Sequence, residues 1–168
     1  MKTMEQGTGC IVAADFKHGE NFSMGNYCVI QEGCEVGDNV RLEHFVLLKK
    51  GTKIGSNVYV DSYVKSSGNN RIGSGVTLRF NATIARDVTV EDDVFISPNV
   101  MTIYSDHKGI AHPGTVIGKG SHIGTNAVIG HGVKIAPGTV IGALSLVTQD
   151  IDTPGVYVGI PAKKIKDI

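Results

Sequence analysis

Aliphatic side chains recur along this chain at every sixth position. Counting from Met24 in steps of six gives Ile30, Val36, Leu42, Leu48, Ile54, Val60, Ser66, Ile72, Leu78, Ile84, Val90, Ile96 and Thr102. After an interruption the count resumes at Ile117 and runs through Ile123, Ile129, Ile135 and Ile141 to Val147. Only Ser66 and Thr102 break the apolar rule among these 20 positions. Four residues further into the hexads the side chain is small or β-branched, as at Cys28, Cys34, Val40, Val58, Ala82, Ala127 and Ser145. Both positions are predicted to face inward. Cys10, Val12, Phe16 and Phe22 extend the register backwards, so the pattern begins near residue 6.

A strand alternates with period 2 and a helix with period 3.6, so a period of six needs a composite unit. The place three residues after each leading aliphatic supplies it. That place holds Gly, Asn or Asp in 15 of 20 hexads, including Gly33, Asn39, Asn57, Asn81, Asn99, Gly120, Asn126, Gly132 and Gly138. These residue types tolerate positive φ, which predicts a short strand followed by a tight corner. Three such sides close a triangular coil of 18 residues, and residues 6–152 make about seven to eight coils, a prism about 35 Å long at ~4.8 Å per coil. The chain is therefore expected to be all-β and a single domain over 1–168, with coils over 6–152, an extruded loop over 103–116 and a short tail over 153–168.

Composition fits a narrow interior. The 168 residues include 22 glycines, no Trp and 6% aromatics, yet 41% are hydrophobic. Sixteen basic residues balance 16 acidic ones, leaving no positive field to draw the chain to nucleic acid or an anionic membrane. Residues 1–9 lack an apolar signal region, and no stretch approaches the ~20 apolar residues of a membrane span. A cytoplasmic protein is expected, with Cys10, Cys28 and Cys34 as core thiols.

Departures from the repeat carry the chemistry. The hexad after Thr102 should reopen at position 108, but the next leading aliphatic is Ile117, so nine extra residues leave the prism there, with His107 and His112 in the excursion. A loop projecting from a rigid coil suits a binding or catalytic group. At Ser66–Arg71 (SSGNNR) the expected core places hold Ser66 and Asn70, which implies either an outward bulge or hydrogen bonding within the core. His44 and His131 fall at corners and are expected at the surface.

The hexads Ile54–Tyr59 (IGSNVY) and Ile123–Val128 (IGTNAV) resemble those of the hexapeptide-repeat, left-handed parallel β-helix proteins, and the likeness covers nearly the whole chain. It implies left-handed coiling and a homotrimer. Ile96–His107 (ISPNVMTIYSDH) is similar to a stretch of the galactoside and maltose acetyltransferases that ends on their catalytic histidine, which makes His107 the expected general base. An acceptor hydroxyl or ammonium must lose a proton to attack a thioester, and imidazole chemistry suits that near neutrality. Phe80–Thr83 (FNAT) resembles that family's acceptor-binding segment, which implies that Asn81 contacts the sugar, with Asn99 and Tyr104 as further contacts; the alternative is a ladder of corner asparagines. Thr125, Ala143 and Thr148 match positions lining the coenzyme A groove, and the tail Gly159–Lys166 resembles one whose cations, here Lys163 and Lys166, approach the coenzyme's phosphates.

The resemblance thus implies an acetyl-CoA-dependent acetyltransferase, without a metal, acting on a sugar or nucleotide-linked amino sugar of surface polysaccharide. Two rivals exist. The same fold hosts a zinc carbonic anhydrase class, which needs three imidazoles, here His107, His112 and one of His122, His131 or His44. A non-catalytic scaffold would leave the loop and the basic tail without a purpose.

Overall fold

The computed structural model describes residues 4–168. Short strands, most of them two residues long, wind into a left-handed β-solenoid with three flat faces. Sheet A has ten strands, running from Met4–Gln6 to Val156–Val158 and closing with Lys163–Lys166. Sheet B has eight, from Ile11–Val12 to Leu146–Val147, and sheet C seven, from Lys17–His18 to Lys134–Ile135. Successive rungs pair in parallel, each position facing the one a full coil further along the chain, as in Tyr59↔Thr77 and Lys65↔Thr83. Across the loop the step lengthens by the nine extra residues, with Val90 opposite Ile117, and the register then resumes.

Every place in the hexad count is buried, from Met24 to Val147, Ser66 and Thr102 included. The corners predicted from Gly, Asn and Asp take positive φ at every counted place except Asp150, for example Gly33 at 69°, Asn57 at 58° and Asn126 at 59°. Sheet A carries nine parallel strands rather than seven to eight coils, because Met4–Gln6 and Val156–Val158 pair onto the ends of the stack outside any recognisable hexad. Cys28 and Cys34 are core thiols whose ionisation burial disfavours, pushing both pKa values up. Cys10, one coil from the end, is only half-buried. Among the described residues no helix is long and apolar enough to cross a membrane.

One column of corners breaks the composition rule. Tyr27, Phe45 and Tyr63 hold φ of 57°, 59° and 64°, a region in which bulky side chains are outliers. Their rings lie one above the next, 5.4 and 4.8 Å between centroids and within 13° of parallel, and Phe80 closes the run edge-on at 5.5 Å. Gly9 heads this column because a Cβ there would lie 2.4 Å from the Tyr27 ring. Stacking worth about 0.5–1.5 kcal/mol per pair offsets a strain of similar size.

Ser66 and Asn70 bond within the core. Ser66 Oγ donates to Asn70 Oδ1 and lies 2.6 Å from Thr52 Oγ1, while Asn70 Nδ2 donates to the Ala85 carbonyl. Thr102, the other polar core place, accepts from Ala85 N–H at 2.6 Å. No buried side-chain polar atom among the described residues lacks a partner. Asn70→Ala would leave the Gly68 N–H and the Ala85 carbonyl without partners, so chemical denaturation should show a loss of about 1–3 kcal/mol.

Candidate functional site

The nine extra residues fold back as a narrow hairpin at the corner between sheets B and C. Ser105 bridges Ala111 in antiparallel fashion, and His112 N–H donates to Tyr104 O at 2.8 Å. Asp106 holds the turn. Its Oδ1 accepts from Lys108 N–H and Ile110 N–H, both at 2.9 Å, and its Oδ2 lies 3.3 Å from His112 Nε2. The backbone N–H of Ile110, then His112 and the Lys108 N–H, hold the Asp106 carboxyl below its ordinary pKa. The His112 ring in turn lies on that of His131, centroids 4.3 Å apart. At the loop's base Tyr104 packs against the core with the Arg86 guanidinium over its ring, 5.8 Å from the centroid.

His107 stands exposed beyond this framework. Asp106 is committed to the turn and to His112, so the neighbouring carboxylate does not orient His107. His131, expected at the surface, is half-buried under His112, whereas His44 is exposed and its Nδ1 accepts from Asn26 N–H at 2.8 Å. His122 stacks on Phe95 on the outside of sheet A, 5.0 Å between centroids. The histidines therefore divide among separate places, and among the described residues no three metal-ligating groups converge.

The other expected site residues separate onto two edges of sheet B. On the A/B edge Asn81 and Asn99 sit above the aromatic column, Asn81 Nδ2 donating to Asn99 Oδ1 at 3.0 Å and Lys65 Nζ donating to Asn81 Oδ1 at 2.7 Å. Both halves of the Asn81 amide are thus engaged in a ladder like that of Asn21, Asn39 and Asn57 on another edge. Thr125 and Ala143 stack on the same edge one coil apart, where Leu144 N–H donates to Thr125 O at 2.9 Å. The B/C edge carries Tyr104, His107 and Thr148. Thr148 and Lys163 line one cavity of about 210 Å³, and Lys166 lies exposed at the end of the same strand as Lys163.

Asp106, His112, His131 and Arg86 escape a reading hexad by hexad. The signal for them lies in the columns, since Lys50, Gly68, Arg86, Tyr104, His131 and Gln149 succeed one another coil by coil, with the loop's excess falling between Tyr104 and His131.

Comparison with known proteins agrees with this architecture. Residues 7–111 match the family described as GMPPB C-terminal domain, and residues 112–149 match the bacterial transferase hexapeptide (six repeats). The chain is a hexapeptide-repeat protein of the GMPPB C-terminal domain family. It is 39% identical over 100 residues to galactoside O-acetyltransferase of Escherichia coli (strain K12), spanning 53% of this chain and 49% of that protein. This hexapeptide-repeat chain thus spans about half the length of that curated relative. A maltose O-acetyltransferase from Clostridium difficile 630 superposes with a TM-score of 0.61 at 27% identity, over 66% of each chain. A UDP-N-acetylglucosamine acyltransferase from Campylobacter jejuni superposes with a TM-score of 0.76 at 21% identity, covering 95% of this chain and 73% of that one, which is a likeness of fold.

The loop's order should depend on pH. A carboxyl whose folded pKa is depressed stabilises the fold above its unfolded pKa, and that contribution is lost as pH falls through the folded value. Protection of the Lys108 and Ile110 amides, taken as the exchange rate relative to the intrinsic rate at each pH, should therefore fall once pH drops below the ordinary aspartate range, and Asp106→Asn should flatten the dependence.

Proposed function

We propose that this chain is an acetyl-CoA-dependent acetyltransferase of sugars or nucleotide-linked amino sugars used in surface polysaccharide, with His107 as its general base. The observation that carries the reading is the division of the site across sheet B. Asn81, Asn99, Thr125 and Ala143 lie along one edge and Tyr104, His107 and Thr148 along the other, so one prism cannot bring them to a common substrate. Two prisms side by side can, with the A/B edge of one against the B/C edge of the next.

The outward ladder on sheet B fits such a contact. It reads Ile11, Val29, Leu47, Lys65, Thr83, Met101, Val128 and Leu146, whereas sheet C presents Lys17, Glu35, Lys53, Arg71, Thr89, Val116 and Lys134. Ile11 is 67% and Met101 49% exposed, and the aromatic column borders the same face. Six of these eight places are apolar, interrupted by Lys65 and Thr83, and apolar stretches of this kind mark an interaction surface. Three copies, each offering one edge to each neighbour, close a ring with three equivalent sites, the homotrimer of this reading.

In each cleft His107 accepts the proton of the acceptor's O–H or N–H as that atom attacks the thioester carbonyl. The carbon–sulfur bond then breaks, and the departing thiolate takes the proton from His107. A backbone N–H at a neighbouring corner is a fixed dipole suited to the developing oxyanion. Acetyl-CoA serves here as co-substrate, with no metal. Its pantetheine arm would follow Thr125, Ala143 and Thr148, and Lys163 and Lys166 would meet its phosphates as point charges rather than bidentate clamps. A cytoplasmic setting is consistent with this donor and with reduced Cys28 and Cys34.

Thiol release from acetyl-CoA should be detected with some member of a panel of sugars and amino sugars, and His107→Ala should lower kcat by about 10²–10⁴-fold. Transfer to none of them, or an unimpaired variant, overturns the assignment. In sedimentation the protein should run as a trimer, and Met101→Glu, which puts a charge into the apolar strip, should shift it towards monomer.

A further inference from the structure

Below the hairpin, on the side away from the coenzyme groove, the B/C edge opens into a cavity of about 220 Å³. Three of its lining residues, Lys49, Lys50 and Arg86, are cationic, and none is acidic. A hollow of about 550 Å³ on sheet C differs in kind, since there Lys53, Arg71 and Lys119 are interleaved with Glu91 and Asp92. Lys50 is tied to Glu32 at 3.2 Å, but among the described residues neither Lys49 nor Arg86 has a carboxylate partner. Arg86 is instead steered by the Tyr104 ring, which orients a guanidinium without neutralising it.

The corner that floors this cavity is built differently from every other described corner. Gly68 and Asn69 both hold positive φ, 108° and 52°, whereas no other described corner has two such residues in succession. The SSGNN segment makes this possible. Ser66 and Asn70 fasten the strand ends in the core, Asn70 Oδ1 accepts from Gly68 N–H at 3.2 Å, and a Cβ on Gly68 would come within 3.0 Å of Lys50 O. The turn thus lies flat against Lys49 and Lys50 and leaves the hollow open beneath Arg86.

We propose that this cavity binds a negatively charged group of the acceptor, a phosphoryl or a carboxylate, and so selects anionic sugars over neutral ones. The inference rests on the acyl-transfer reading and on its direction. The expected coenzyme residues Thr125, Ala143, Thr148, Lys163 and Lys166 all lie beyond the hairpin in chain order, hence in coils on its far side, whereas Lys49, Lys50 and Arg86 lie on its near side, with His107 between the two groups. A donor approaching from one side leaves the other for the acceptor, and unpaired cations held around a concave site attract an anion from solution. Arg86 can offer a planar pair of N–H donors to two oxygens, and Lys49 a point charge.

The test compares acceptors that differ only in charge: a neutral sugar, its 1-phosphate, its nucleoside diphosphate derivative and the corresponding uronic acid, each assayed by thiol release from acetyl-CoA. The expected result is a higher kcat/KM for the charged members, and a loss of that preference by about three- to tenfold in Lys49→Gln and in Arg86→Gln, carried by KM. Lys17→Gln removes a charge from sheet C and should leave the preference intact. Raised salt should erode the preference as the variants do. The sources separate by which of the phosphate, the diphosphate and the uronic acid responds to the substitutions. Equal use of neutral and charged sugars, or variants that keep the wild-type preference, overturns the anion site while leaving the acetyltransferase standing. Transfer to no acceptor at all overturns the acetyltransferase. Titration of wild type and Arg86→Gln with inorganic pyrophosphate, followed by the amide resonances of Lys49 and Lys50, then reads the cavity independently of turnover: shifts lost in the variant uphold it, and no shifts in wild type overturn it.

Discussion

Everything in this molecule depends on backbone hydrogen bonds that never close within a turn of chain. Ile11 N–H donates to Cys28 O, Ala13 N–H to Ile30 O and Gly37 N–H to Ile54 O, so each coil relies on the coil after it. No coil can hold its shape alone, and the register must persist over the whole length. The consequence is that sequence positions one full coil apart share one environment. Chemistry on this fold is distributed in columns rather than in local motifs.

The columns differ sharply. The inner ones are mostly aliphatic, with a bonded polar cluster at Thr52, Ser66 and Asn70 and further buried hydroxyls at Thr102, Thr115, Ser121, Thr139 and Ser145. One outer column is apolar and aromatic, one is charged, and one edge gathers the hairpin, the stacked histidines and the cations around Arg86. Such separation is natural in a prism, because the three faces and three edges can be varied independently while the interior stays constant. It also means that groups on opposite edges of one face meet only when prisms associate.

Most of the fold was legible because the hexad count fixes both burial and corner at once. The loop was legible as an excess of nine residues, with His107 within it. The partnership of Asp106, His112 and His131 was not, because it depends on how an irregular hairpin falls back onto a corner more than one coil away in sequence. Ser66 and Asn70 show the same limit from the other side. Their types alone admit a bulge or a buried network, and only the positions of Thr52 and the Ala85 carbonyl decide between them. Tyr27, Phe45 and Tyr63 look like failures of the corner rule until they are placed on successive coils of one edge, when their stacking supplies the reason.

The strand Lys163–Lys166 pairs with Val156–Val158 in antiparallel sense, whereas every other strand pairing among the described residues is parallel. Its side chains are exposed and three of the four are lysines. A stack of identical rungs is an open template, and another molecule laid in register on its last rung would begin a fibre. A reversed, cationic rung offers that molecule the wrong polarity and a charge to bury. Growth along the axis is thereby terminated on sheet A at this end of the prism. The lateral faces, the apolar places of sheet B among them, carry no such obstacle.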